Sequence, residues 1–142
     1  MLLVLGLGPI GDMAYRIAQQ KWIDKIIAVD LVDERLVRAL AHFQVIDLRD
    51  HEDGIPEVVR ELTDGRGPDS VIDAVGMEAH GSPAAAFAQR VTAHLPDAVT
   101  EPLMKKAGFD RLAAVYTAIE TVRRGGTVSL SGVYGGMPTR CR

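Results

Sequence analysis

Leu2-Leu3-Val4-Leu5-Gly6-Leu7-Gly8-Pro9-Ile10-Gly11 reads as a buried β-strand that runs straight into a glycine-rich turn and then a helix. Gly6, Gly8 and Gly11 have the spacing G-x-G-x-x-G, in which each glycine has its own task. The first makes the tight turn, the second lets the backbone approach a pyrophosphate, and the third lets the helix lie close to the strand. Because the helix begins there, its free N–H groups and the positive end of its dipole point to where an anion would sit. Pro9 and Ile10 suit such a start, since proline is tolerated in a first helical turn.

Alone, that spacing is often only a turn, and its meaning depends on the residues beyond Gly11. Ile10, Met13, Ala14, Ile17 and Ala18 recur at helical spacing and predict one apolar face toward a sheet. Ile26-Ile27-Ala28-Val29 is a short apolar run of the kind a buried parallel strand shows. It ends on Asp30, about 20 residues past the turn, where an acidic side chain can accept from ribose hydroxyls and repel a 2′-phosphate. Asp30 and its neighbour Leu31 are therefore candidate cofactor residues, and NAD is expected over NADP.

The 142 residues fit one domain, and 47% hydrophobic with 25% charged residues is a globular composition. A net charge of −3 gives no reason to expect nucleic acid as a partner, and no long apolar stretch or charged leader predicts a membrane span or export. The single cysteine, Cys141, excludes an internal disulfide and any multi-cysteine zinc site. A cytoplasmic setting is expected.

Further along, Asp33 caps a helix whose buried face is predicted as Leu36, Val37, Leu40 and Ala41, and Val45 to Leu48 is a third strand. The cluster Asp47, Asp50, His51, Glu52 and Asp53 lacks metal-binding spacing and reads as a solvated loop. Ile55, Val58, Val59 and Leu62 mark a third helix, ended by Asp64 to Pro68. Ser70 to Gly76 is the fourth strand, expected beside the first, with Val75 and Gly76 facing the crevice where the strand order reverses. Asp73, inside it, reads as a carboxylate that hydrogen-bonds a neighbouring loop. Residues 77–109 are broken by Gly81, Pro83, Pro96, Pro102 and Gly108 and read as an insertion; His80 and His94 within it read as surface residues. Asp110 caps a helix with Leu112, Val115, Tyr116, Ile119 and Val122 inward, and Thr127 to Val133 is a fifth strand. The fold class is thus α/β, a doubly wound parallel sheet of Rossmann type in the order 3-2-1-4-5 with helices on both faces, a sixth strand being expected to be missing.

The residues Gly6 to Gly11, Ala28-Val29-Asp30, Asp69 to Gly76 and Arg123 to Val133 together resemble the coenzyme domain of zinc-dependent alcohol dehydrogenases of the medium-chain type. Within that family they look most like the branch of glutathione-independent formaldehyde dehydrogenases. The resemblance implies that Arg35 helps to hold the adenosine ribose and that Val75 and Gly76 line the adenosine side. It further implies that Ser131, Gly132 and Val133 lie along the nicotinamide. Gly6, Gly8, Pro9, Ile10, Gly11, Asp30, Leu31, Arg35, Val75, Gly76, Ser131, Gly132 and Val133 form the implied NAD site.

The same family carries a zinc in a separate catalytic domain, of which this sequence shows no ligands. No catalytic or metal-binding residue is therefore expected here, and residues 1–142 read as an NAD-binding domain alone, truncated or split from its catalytic half. Its expected partners are NAD(H), a separately encoded catalytic half, and a second copy through an exposed sheet edge. Two other readings stay open: a stand-alone NAD-binding redox sensor, and a folded relic without function.

Overall fold

The computed structural model of the chain describes residues 1–51, 54–75 and 114–131. The expectations for Gly76, residues 77–109, Asp110, Leu112, Gly132 and Val133 lie outside them.

Chain order is β1 (Leu2–Leu5), α1 (Pro9–Gln20), β2 (Ile26–Asp30), α2 (Asp33–Leu40), β3 (Gln44–Asp47), α3 (Ile55–Glu61), β4 (Ser70–Asp73), a helix over 114–121, and β5 (Thr127–Leu130). The strands form one parallel sheet in the order β3-β2-β1-β4-β5. This is the doubly wound order expected from the sequence. β1 lies in the middle and is buried on both faces, which is why its sequence is a continuous apolar run rather than an alternation. Leu2 and Val4 pack with Tyr15, Ala18, Leu36 and Ala39 under α1 and α2. Leu3 and Leu5 point the other way, toward Ile55 and Val59 of α3 and toward Ala118. Helices therefore cover both faces.

Three helix faces differ from expectation. α1 buries Gly11, Tyr15 and Ala18, while Ile10, Met13 and Ile17 are about half exposed or more. The reason is steric: a helix pressed closely on a sheet presents its small residues, and glycine and alanine supply the short spacing. In α2 the buried residues are Leu36 and Ala39, and Val37, Leu40 and Ala41 are exposed. In the helix over 114–121, Ala118 and Thr121 are buried and Ile119 is exposed, again with a small residue inward. α3 keeps its expected face, with Ile55 and Val59 buried and Val58 and Leu62 packed beside them.

Three strands end on an aspartate, and the ending has one cause. Asp30 Oδ1 accepts from the Val32 N–H at 2.9 Å, Asp47 Oδ1 from the Arg49 N–H at 2.9 Å, and Asp73 Oδ1 from the Val75 N–H at 3.0 Å. Each is a side-chain turn that gives the backbone an alternative to the next sheet bond. β3 therefore closes at Asp47 instead of Leu48, and β4 closes at Asp73 instead of continuing to Gly76. Asp47 is also gripped by Arg49, which pairs with Asp33 at the start of α2 as well, so this carboxylate of the acidic stretch is engaged by a cation of the chain itself.

At the opposite end of the sheet Asp69 joins three strands. Its carboxylate accepts from the Met1 amine at 2.9 Å, from Arg123 Nε at 2.6 Å and from Arg66 at 2.9 Å, and its carbonyl accepts from the Thr127 N–H at 3.0 Å. The Met1 amine first, and then Arg123, hold its carboxyl down from 3.8 to about 2. A carboxyl depressed by folding stabilises the fold above its unfolded value, and that contribution disappears as the pH falls from about 4 toward about 2. Urea midpoints at pH 5 and pH 2.5 are expected to differ less in Asp69→Asn than in the wild-type chain. An equal acid-induced drop in both would rule out Asp69 as a contributor.

Candidate cofactor site

The candidate residues that fall within the described chain gather at the carboxyl ends of β1, β2, β4 and β5. Gly6 has φ +82°, a conformation favouring glycine, and its N–H donates to the Val29 carbonyl at 2.8 Å. A Cβ on Gly6 would stand 3.0 Å from Val75 Cγ2, so Val75 forms one wall of the turn. Ser131 follows β5 in the same row, its N–H donating to the Asp73 carbonyl at 2.9 Å.

The chain's own geometry requires two of the three glycines, Gly6 by its positive φ and Gly11 by its contact with the turn. A Cβ on Gly11 would lie 1.8 Å from the Gly6 carbonyl oxygen, so helix and turn are in backbone contact. Gly8 is the contrast: it is the N-cap of α1, with φ −63° and ψ −172°, a conformation open to other residues. A Cβ there would meet only Arg35, whose Nη1 is 3.9 Å away. Nothing described in the chain requires Gly8 to lack a side chain. Beside that space the first bond of α1 runs from the Asp12 N–H to the Gly8 carbonyl at 2.8 Å. The N–H groups of Ile10 and Gly11 therefore precede the helical ladder, and Pro9 has none to satisfy.

Asp30 is buried, with its side chain 4% exposed, and serves the turn directly. Its Oδ2 accepts from the Leu7 N–H at 2.5 Å, and its Oδ1 accepts from the N–H groups of Leu31 and Val32 at 2.7 and 2.9 Å. Arg35 Nη1 stands 3.5 Å from Oδ2 and is half exposed. Leu31 therefore contributes its backbone to the Asp30 turn.

Sequence reading missed a second set of residues around the same turn. Arg38, one helical turn after Arg35, donates to the Leu7 carbonyl at 3.4 Å and pairs through Nε with Asp12 Oδ1 at 3.0 Å. Asp12 also receives the Tyr15 hydroxyl and Arg16 Nε, the latter at 2.7 Å. The Tyr15 hydroxyl, with Arg16 and Arg38, holds the Asp12 carboxyl below its usual range. The presence of an aspartate in the first turn of α1 and arginines in α2 is visible in the sequence. Their pairing across two elements is not.

No family model matches the chain. An uncharacterized zinc-type alcohol dehydrogenase-like protein of Bacillus subtilis is 34% identical over 137 residues, covering 95% of this chain and 32% of that protein. A second such protein, from Escherichia coli, is 38% identical over 80 residues, or 53% of this chain and 21% of its own length. Alcohol dehydrogenase TADH from Thermus sp. ATN1 superposes with a TM-score of 0.64 at 29% identity, over 97% of this chain and 30% of that structure. Both relatives are named as zinc-type alcohol dehydrogenase-like proteins, and the structural neighbours are alcohol dehydrogenases, a zinc-dependent one among them. The chain spans about a third or less of the length of these relatives.

Among the described residues, no group of three or more His, Cys, Asp or Glu side chains could hold a metal ion. Nor is any described helix long and apolar enough to cross a membrane.

Proposed function

We propose that the chain binds NAD(H) and forms the coenzyme-holding part of a zinc-type alcohol or aldehyde dehydrogenase, of the formaldehyde dehydrogenase-like branch. The observation that carries this reading is Gly8. A glycine with no steric reason inside the described chain, at the mouth of a helix N-terminus, leaves room for a group from outside, and the relatives are oxidoreductases.

Bound NAD supplies a hydride acceptor; the residues of this chain bind and orient it. Backbone N–H groups at the start of α1 receive the pyrophosphate, with Gly8 allowing the approach. Asp30 faces the adenosine ribose. Three of its acceptor positions are held by backbone N–H groups, so a ribose hydroxyl takes the Oδ2 position now shared with Arg35, the longest and most exposed of its contacts. Arg35, freed from Oδ2, stays beside the ribose as a cation. The Asp30 charge disfavours a 2′-phosphate. Val75 and Gly76 complete the adenosine side, and Ser131, Gly132 and Val133 run along the nicotinamide. Substrate activation and zinc ligation belong to a catalytic half, in a cytoplasmic setting, and the outer strand β5, with Leu130 half exposed, is the edge through which copies associate.

Titration of the chain with NADH and NADPH, following nucleotide fluorescence, tests the proposal. Saturable NADH binding is expected, with NADPH weaker by roughly tenfold or more, the size of about 1.4 kcal/mol of charge discrimination. No NADH binding at millimolar concentration would overturn it.

A further inference from the structure

We propose that Arg38, held by Asp12, is a positioning residue of the dinucleotide cradle: it fixes the Leu7–Gly8 peptide so that the Gly8 N–H faces the space a pyrophosphate would take. The inference rests on the reading of the site as a dinucleotide cradle and adds a residue that the glycine spacing and Asp30 do not include.

Leu7 is fully buried between the two glycines, and side chains from the second βα unit grip it from both ends. Its N–H goes to Asp30 Oδ2 at 2.5 Å and its carbonyl receives Arg38 Nη2 at 3.4 Å. In a trans planar peptide the carbonyl of one residue and the N–H of the next point in opposite directions. Drawing the Leu7 carbonyl toward Arg38 on α2 therefore turns the Gly8 N–H away from α2. Gly8 itself cannot set that direction, since a glycine there has wide backbone freedom and only Arg35 stands near its Cβ position. Arg38 in turn is not free to wander: its Nε is paired with Asp12 at 3.0 Å, and Asp12 is fixed by Tyr15 and Arg16 on the same helix. Tyr15 is buried against Phe43, with ring centroids 4.9 Å apart, which anchors the network in the core. The chain from Phe43 through Tyr15, Asp12 and Arg38 thus ends on a peptide that borders the space an anion would take, ahead of the N–H groups of Ile10 and Gly11.

The test compares NADH, ADP and adenosine as ligands of the wild-type chain, Arg38→Met, Arg38→Lys and Asp12→Asn, with thermal midpoints recorded in parallel. Methionine keeps most of the apolar stem and removes the donors. Arg38→Met is expected to weaken NADH and ADP by roughly tenfold, as loss of a charged hydrogen bond does, while adenosine changes by less than about twofold. Asp12→Asn shifts NADH and ADP in the same direction by a smaller factor. Arg38→Lys restores only part of the loss, because an ammonium cannot reach the Leu7 carbonyl and Asp12 in the forked geometry of a guanidinium. Wild-type ADP affinity in Arg38→Met would overturn the inference. So would full rescue by lysine, which would indicate charge rather than positioning, and so would an equal loss for adenosine and ADP, which would indicate general unfolding. A wild-type chain that ignores NADH overturns the reading of the site and the inference together, whereas the other failures leave that reading standing.

Discussion

Gly11→Ala is expected to destabilise the chain by about 3 kcal/mol or more and to abolish NADH binding, while Gly8→Ala abolishes binding with stability unchanged within about 0.5 kcal/mol. The added methyl at position 11 would stand 1.8 Å from the Gly6 carbonyl oxygen and 2.9 Å from the Gly6 carbonyl carbon. Neither atom belongs to a side chain that could rotate away. The Gly6 backbone is not free to retreat either, because its N–H is tied to the Val29 carbonyl of β2 at 2.8 Å. α1 must then lift off the sheet, carrying Tyr15 and Ala18 out of the core. At position 8 the methyl meets only the end of Arg35 at 3.9 Å, in a backbone conformation alanine can adopt. Alanine is a poorer N-cap than glycine but leaves less unfolded-state freedom, and the two effects are of similar size and opposite sign. What Gly8→Ala fills is the approach to the N–H groups of Ile10 and Gly11. Denaturant midpoints and NADH titration of both variants check the pair. A Gly11→Ala midpoint equal to wild type would defeat the steric account, and normal NADH affinity in Gly8→Ala would defeat the cradle.

The pairing of glycine spacing with Asp30 was legible because the fold demands each residue type at that place for a local reason. Strand order was legible too: runs such as Leu2 to Leu5 and Ile26 to Val29 have no polar alternation, and only strands covered on both faces can be so. Helix orientation was not. In α1 the stripes Ile10-Met13-Ile17 and Gly11-Tyr15-Ala18 lie side by side on the cylinder, and hydrophobicity favours the first. The distance between helix and sheet, set by the Gly11 contact with Gly6, chooses the second. Strand ends were misplaced because Asp47 and Asp73 act through their side chains two residues ahead, which an apolar run does not reveal. The Asp12 to Arg38 pair stayed hidden for a different reason: no periodicity links residues on two helices that only the closed βαβ unit brings together. The helix orientations and the Asp12 to Arg38 pair concern contacts between elements, whereas the strand ends concern side-chain turns two residues long. The glycine turn and the buried strands were read correctly, but the cap of α2 was not: Val32 rather than Asp33 is its N-cap, and no side chain caps it, because Asp33 already stands in the first helical position.

The dual use of Asp30, in the turn and toward the ribose, has a measurable consequence. Asp30→Ala is expected to lower stability by about 3 kcal/mol without any nucleotide present, besides weakening NADH and narrowing its advantage over NADPH. The carboxylate accepts from three backbone N–H groups, and the Leu7 N–H is buried where water cannot easily replace the lost partner. An unsatisfied buried donor costs about 1–3 kcal/mol, and loss of the Leu31 and Val32 contacts loosens the turn that ends β2. Asp30→Asn separates the roles. Its amide oxygen can keep the Leu31 and Val32 bonds, but its amide nitrogen then faces the Leu7 N–H and Arg35, so it recovers only part of the stability. The asparagine has lost the charge, and its preference for NADH over NADPH should fall as far as in the alanine variant. Urea unfolding of the nucleotide-free chains, followed by NADH and NADPH titration under folding conditions, separates the two effects. If Asp30→Ala unfolds at the wild-type midpoint, the carboxylate is not what holds the glycine turn. If Asp30→Asn keeps the full NADH preference, the charge at this position is not what rejects the 2′-phosphate.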